Sequence, residues 1–174
     1  MKKIVLSLLV FIFSMGLAQA QNAPSIKVLD LNRNSVAFDS LVKKGQITVV
    51  SFWATWCGPC IKELQAIDDN KYEDWQTRFG VELIAVSIDD ARNSVKVKPF
   101  VTSRGWEYTV VLDQNSELFR ELGGVNPPTL FIYDSNGNLA YSHQGYVPGS
   151  EEDIEEELIR ISGAATEPVQ GAGH

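Results

Sequence analysis

The 174 residues hold only two cysteines, Cys57 and Cys60, and two histidines, His143 and His174. A secreted scaffold that depends on disulfides carries four or more cysteines around a weak core, and two do not make such a framework. A bridge across two intervening residues also removes little chain entropy, because the gain grows with loop length. A structural zinc needs four ligands, and beyond the cysteines only His143 and a tail residue, His174, are candidates.

Positive charge is scarce as well, with 15 Lys and Arg against 22 Asp and Glu and a net charge of −7. The composition therefore offers no basic patch for nucleic acid or an anionic membrane surface. Past Phe13 no apolar run approaches the roughly 18 residues of a membrane-spanning helix. No internal repeat is visible.

The N-terminus reads MKKIVLSLLVFIFSMGLAQA: a basic start at Lys2 and Lys3, an apolar stretch from Ile4 to Phe13, and the small-x-small ending Ala18, Gln19, Ala20. This is the pattern of a secretory signal peptide over residues 1–20, with cleavage expected after Ala20. No cysteine follows the apolar stretch to accept a lipid. The expectation is an exported, periplasmic protein with no stable membrane insertion after cleavage. Residues 21–162 suit one domain, and residues 163–174, GAATEPVQGAGH, carry no pattern and are expected to be disordered.

Apolar periodicity predicts two brief strands around the turn NRNS, then a short turn or loop at SLVKKGQ. ITVVSFWAT reads as a strand buried on both faces. Residues 57–79 repeat apolar side chains at helical spacing, with a bend near 68–70 and closure at Gly80. A strand over 81–88 follows, and then a helix over 89–105 that Pro99 should kink or break. A strand at 107–113, a two-turn helix at 116–122 and two strands around SNG complete the sheet. Ser150 with Asp153 forms a capping-box pattern for a C-terminal helix. The order argues for a mixed sheet with helices on both faces.

The two thiols sit where the buried strand gives way to the helix. At a helix start Cys57 meets unpaired backbone amides and the positive end of the dipole, which stabilise its thiolate. Cys60, one turn on, faces the same side and can attack a mixed disulfide formed on Cys57. Gly58 permits close approach of a partner backbone, and Pro59 costs no hydrogen bond in the first turn. Dithiol exchange accounts for every position of the motif, whereas a metal site accounts for two.

VVSFWATWCGPC followed by GGVNPPTLFIYDSNGNL resembles the thioredoxin superfamily, and within it the exported TlpA/ResA-like thiol-disulfide oxidoreductases. The similarity runs from about Ile26 to Ile161, and the leader, the N-terminal strand pair and the inserted helix and strand between about 90 and 113 favour that branch. The resemblance implies an α/β, thioredoxin-like fold with a central mixed sheet flanked by helices. It implies Cys57 as nucleophile, Cys60 as resolving thiol, Pro128 as the cis-proline, and Glu63, from the CxxCxxE pattern, as a proton acceptor for Cys60. Trp56, Gly58, Pro59, Pro127 and Pro128 would contact the substrate. No cofactor is implied beyond the redox-active Cys57–Cys60 disulfide. The implied partners are protein thiols and disulfides and a membrane electron donor of the DsbD/CcdA type. General disulfide reduction and cytochrome c maturation on an apocytochrome CxxCH pair are both family roles.

Two positions depart from the pattern. Ser51 stands where thioredoxin has a buried aspartate, and Pro127, before the cis-proline place, lacks the backbone N–H that many relatives present. Trp53 is read as core and Trp56 as a recognition surface. Base rates make Glu63 a solvated helix charge as readily as a functional group. His143 is read as structural, the EEDIEEE run as a solvated helix face, and DSNGN as a hairpin turn, since a calcium loop needs a later glutamate. A peroxidase would need proline at position 50 and threonine at 54, where Val50 and Ala54 stand. A copper-delivery module would use CxxxC with a distant histidine.

Overall fold

A computed structural model describes residues 22–164. The expected leader, and residues 165–174 of the expected disordered tail, lie outside the described residues. Seven strands form one sheet in the order β2-β1-β5-β4-β3-β6-β7. In chain order these are β1 (Lys27–Asp30), β2 (Ser35–Ala37), β3 (Thr48–Trp53), β4 (Glu82–Ser87), β5 (Thr109–Leu112), β6 (Thr129–Tyr133) and β7 (Leu139–Gln144). β3 runs parallel to β4, and β4 to β5. β6, β7, β1 and β2 each pair antiparallel with their neighbours.

The helices are α1 (Gly58–Asn70), α2 (Tyr72–Phe79), α3 (Val97–Arg104), α4 (Glu117–Glu121) and α5 (Ser150–Ser162). Alternate residues of each central strand serve opposite faces. Val49, Leu83, Leu130 and Ile132 join Leu64, Ile67, Val101 and Leu158 in one core, beneath α1, α2, α3 and α5. Val50, Phe52, Ile84, Val86 and Phe131 join Phe38, Leu118 and Phe119 beneath α4 on the other. Every residue of β3 is buried, because helices or turns cover both sides of it.

Two local expectations are corrected, and the bend expected near residues 68–70 is a full break one residue on. Pro99 neither kinks nor breaks its helix: residues before Ser94 are not helical, and Pro99 falls in the first turn of α3, where its missing N–H has no partner to lose. The long helix breaks at Lys71, whose φ of −131° separates α1 from α2, and Gly80 closes α2 with φ 65°. Ser150 is not a capping-box residue. Gly149 holds the N-cap position with no side-chain cap, and the Ser150 hydroxyl donates to the Val147 carbonyl.

The α1–α2 break is tied to α5 through charge. Lys71 Nζ donates to Glu152 and Glu155, each at 2.7 Å, and Arg78 also reaches Glu155. Burial pushes the Glu155 carboxyl upward, but the bonds from Lys71 and Arg78 outweigh it and hold the group below the usual glutamate range. Part of the acidic run is therefore a helix clamp rather than a solvated face. Glu155→Gln should cost about 1–2 kcal/mol at neutral pH. A depressed folded value makes this stability complete above the unfolded carboxyl value of about 4.3 and lost as the pH falls through the folded one. Urea melts of both proteins should therefore differ at pH 7 and converge in acid.

Candidate active site

β3 ends at Trp53 inside an aromatic cluster, with the Trp106 and Phe100 rings 5.2 Å and 5.6 Å away. The chain then turns, with the Cys57 N–H donating to the Ala54 carbonyl at 3.0 Å. Asp89, fully buried just past β4, holds this turn. Its carboxylate accepts from Thr55 N–H at 2.8 Å, from Thr55 Oγ1 at 2.6 Å and from Ser87 Oγ at 2.9 Å. Sequence reading missed Asp89, because nothing local to SIDD says which loop it will reach. Asp89→Ala leaves two Thr55 donors without their acceptor and should destabilise the protein by about 2–4 kcal/mol, read as a lower urea midpoint.

Cys57 is the N-cap residue of α1, and its sulfur accepts from the Cys60 N–H at 3.3 Å. That bond and the helix dipole both favour negative charge on this sulfur. The two cysteines are joined as a disulfide with their Cα atoms 5.3 Å apart. Cys57 is 6% exposed and Cys60 wholly buried. Pro59 occupies the first turn as expected, and Trp56 stands 63% exposed beside the pair.

The buried face of α1 comprises Cys60, Glu63, Leu64 and Ile67. Glu63 is not a solvated helix charge: it has no exposed surface. Ser51 Oγ donates to Glu63 Oε2 at 3.0 Å, and His143 Nε2 lies 3.5 Å from Glu63 Oε1. The sheet register explains this meeting. Ser51 pairs with Leu130 across β3–β6, and Leu130 with His143 across β6–β7, so the three form a row on the face that α1 covers. Ser51, the position without thioredoxin's acid, thus bonds a carboxyl delivered from the helix. His143 has a companion that sequence reading did not give it. The signal available was the period of two in β7, which puts Tyr141 and His143 on one face, but α1 as the covering element was not legible.

The Pro127–Pro128 peptide is cis, as the resemblance implied. Thr129, the first residue of β6, pairs with Phe52 near the end of β3, so this loop and the CGPC turn share one end of the sheet. The Pro128 carbonyl accepts from Gly145 N–H at 2.8 Å, and the Asn126 carbonyl from Gln144 Nε2 and Thr129 Oγ1. The loop after β7 also meets α1: Tyr146 and Pro148 line a shallow groove with Gly58, Ile61 and Lys62.

The AhpC/TSA family model matches residues 20–142. The chain belongs to the AhpC/TSA family. Within that thioredoxin-like family it is similar to the thiol-disulfide oxidoreductase ResA of Bacillus thuringiensis, 30% identical over 142 residues that span 82% of this chain and 78% of the relative. Among solved structures, an uncharacterised thioredoxin-like protein from Porphyromonas gingivalis is 38% identical with a TM-score of 0.73, over 85% of this chain and 95% of that one. A putative thiol:disulfide interchange protein DsbE from Chlorobium tepidum is 26% identical with a TM-score of 0.71, over 83% and 97%. The protein is a thiol-disulfide oxidoreductase of thioredoxin-like fold, and Cys57–Cys60 is its cysteine pair. Among the described residues no helix is long and apolar enough to cross a membrane.

Proposed function

We propose that this AhpC/TSA-family protein is an exported reductant of protein disulfides. The difference in access between its two sulfurs carries the reading: Cys57 is slightly exposed at a helix N-terminus, and Cys60 is sealed beneath it. A target disulfide can meet only Cys57, so Cys57 acts as nucleophile and Cys60 resolves the mixed disulfide. Glu63, one turn past Cys60 on the same buried face, takes the Cys60 proton. The working group is the dithiol itself, with no further cofactor.

Trp56, Gly58, Pro59 and the Pro127–Pro128 loop receive the target chain. Pro127 lacks an N–H, so pairing at that position goes through its carbonyl alone. Residues 1–20 direct export, and a membrane donor of the DsbD/CcdA type returns Cys57 and Cys60 to the dithiol. The peroxidase reading gains nothing, because Val50 and Ala54 occupy the places its pattern requires and both are packed in the core.

Equilibration against glutathione or dithiothreitol buffers tests the direction. A reductant should show a potential below about −200 mV, and a value near about −120 mV would make it an oxidant. N-terminal sequencing of protein from the cell envelope should begin at Gln21. Targets trapped on Cys57 that carry CxxCH pairs would place the enzyme in cytochrome c maturation.

A further inference from the structure

Three polar atoms of the site are buried without a hydrogen-bond partner: Glu63 Oε1 and both ring nitrogens of His143. Each such atom ordinarily costs about 1–3 kcal/mol, and a native site that keeps three of them together calls for an explanation. Ser51 already serves the other Glu63 oxygen. Oε1 therefore faces the imidazole with no competing donor, 3.5 Å from Nε2. The imidazole also lines a cavity with Tyr141, Tyr146, Val147 and Asp153.

We propose that His143 is a positioning residue that shares and passes on the proton Glu63 takes from Cys60. The inference rests on Glu63 being that acceptor. The Cys57 thiolate attacks the target disulfide; its S–S bond breaks, a Cys57–target disulfide forms, and the first target thiolate takes a proton from solvent. Cys60 gives its proton to Glu63, and its sulfur attacks Cys57. The Cys57–target bond breaks, and the second target thiolate leaves with the electron pair and is protonated by solvent. The target gains two electrons and the cysteine pair loses two. The proton on Glu63 moves to His143 Nε2 and leaves through the cavity that the imidazole lines.

The groups facing His143 fit this role. Glu63 faces it from α1, Asp153 of α5 lines the same cavity, and Leu130 pairs with His143 across β6–β7. The Tyr141 ring, also on β7, lies 5.9 Å from the imidazole, tilted by 53°. Burial first, then Glu157 and Asp153, hold the Tyr141 phenol above its usual range. Burial first, then Glu151 and Glu63, do the same for Tyr146. Both phenols therefore stay neutral, and the imidazole is the basic group nearest Glu63 Oε1 among the described residues.

The test uses the reduced protein and 5,5′-dithiobis(2-nitrobenzoate) in a stopped-flow instrument. Attack by Cys57 releases one coloured thiolate and resolution by Cys60 a second, so the two steps are read separately. His143→Gln and His143→Val should leave the first release unchanged. They should slow the second about tenfold at neutral pH, short of the roughly 10²-fold that losing a positioned base costs. The second release should also lose one inflection in its pH profile, and added imidazole should restore the rate in His143→Val. A wild-type rate and pH profile for the second release in His143→Gln would overturn the proposal, whatever His143→Val does. Glu63→Gln separates the two readings: if it is slow while His143→Gln is not, only the His143 role fails, and if Glu63→Gln is itself fast, the role of Glu63 fails first.

Discussion

Replacing Cys60 by serine is expected to halt exchange half-way, leaving the protein covalently joined to its targets through Cys57. Cys57 keeps what makes it reactive: the N-cap position of α1, the N–H of residue 60 directed at its sulfur, and a small exposed edge. The first attack therefore proceeds. The second has no sulfur to carry it, and the small exposure of Cys57 leaves competing thiols a narrow approach. The mixed disulfide should then persist for minutes to hours, the timescale of uncatalysed rearrangement. Non-reducing gels of the cell envelope should show high-molecular-weight species that collapse on reduction, and Cys57→Ser should show none. Recovery of equal adducts from both variants would assign nucleophilic attack to the wrong sulfur.

Glu63→Gln is expected to slow resolution about 10²-fold, the magnitude lost with a positioned general base. Glutamine keeps the length and shape of the side chain and retains an oxygen for the Ser51 hydroxyl, so packing around the α1 face is preserved. It removes only the capacity to hold a proton. Alkylation of Cys57 by iodoacetamide should proceed at the wild-type rate, because that sulfur is governed by the helix N-terminus and not by Glu63. The lifetime of the mixed disulfide should lengthen at neutral pH and recover as rising pH deprotonates Cys60 without help. A uniform slowing of both steps would mark Glu63 as a structural residue instead.

The thioredoxin-like architecture was legible because its strands and helices carry strong local patterns. β3 is apolar on both faces, α1 begins at a cysteine with a proline in its first turn, and Gly80 closes α2 where the periodicity ends. Local readings failed where a tertiary neighbour decided the outcome. Pro99 looked like a helix breaker because the sequence placed the helix start too early. Ser150 and Asp153 matched a capping box, yet the loop entering through Gly149 turned the serine hydroxyl back to Val147. Glu155, one charge in an acidic run, gained its role from Lys71 at the α1–α2 break and from Arg78 beyond it.

The sequence by itself determined that this protein exchanges electrons through Cys57 and Cys60, since their spacing and their place at a helix start are local facts. It also singled out Ser51, which stands where thioredoxin has a buried aspartate, and Glu63, the carboxylate of the CxxCxxE pattern. Only the tertiary structure decided that these two meet, that His143 joins them and that Asp89 fixes the turn before Cys57. Those contacts join residues 12 to 80 positions apart, through sheet register and the seating of α1. Periodicity reports which face a residue takes, and it carries no information on which distant residue will occupy the same space.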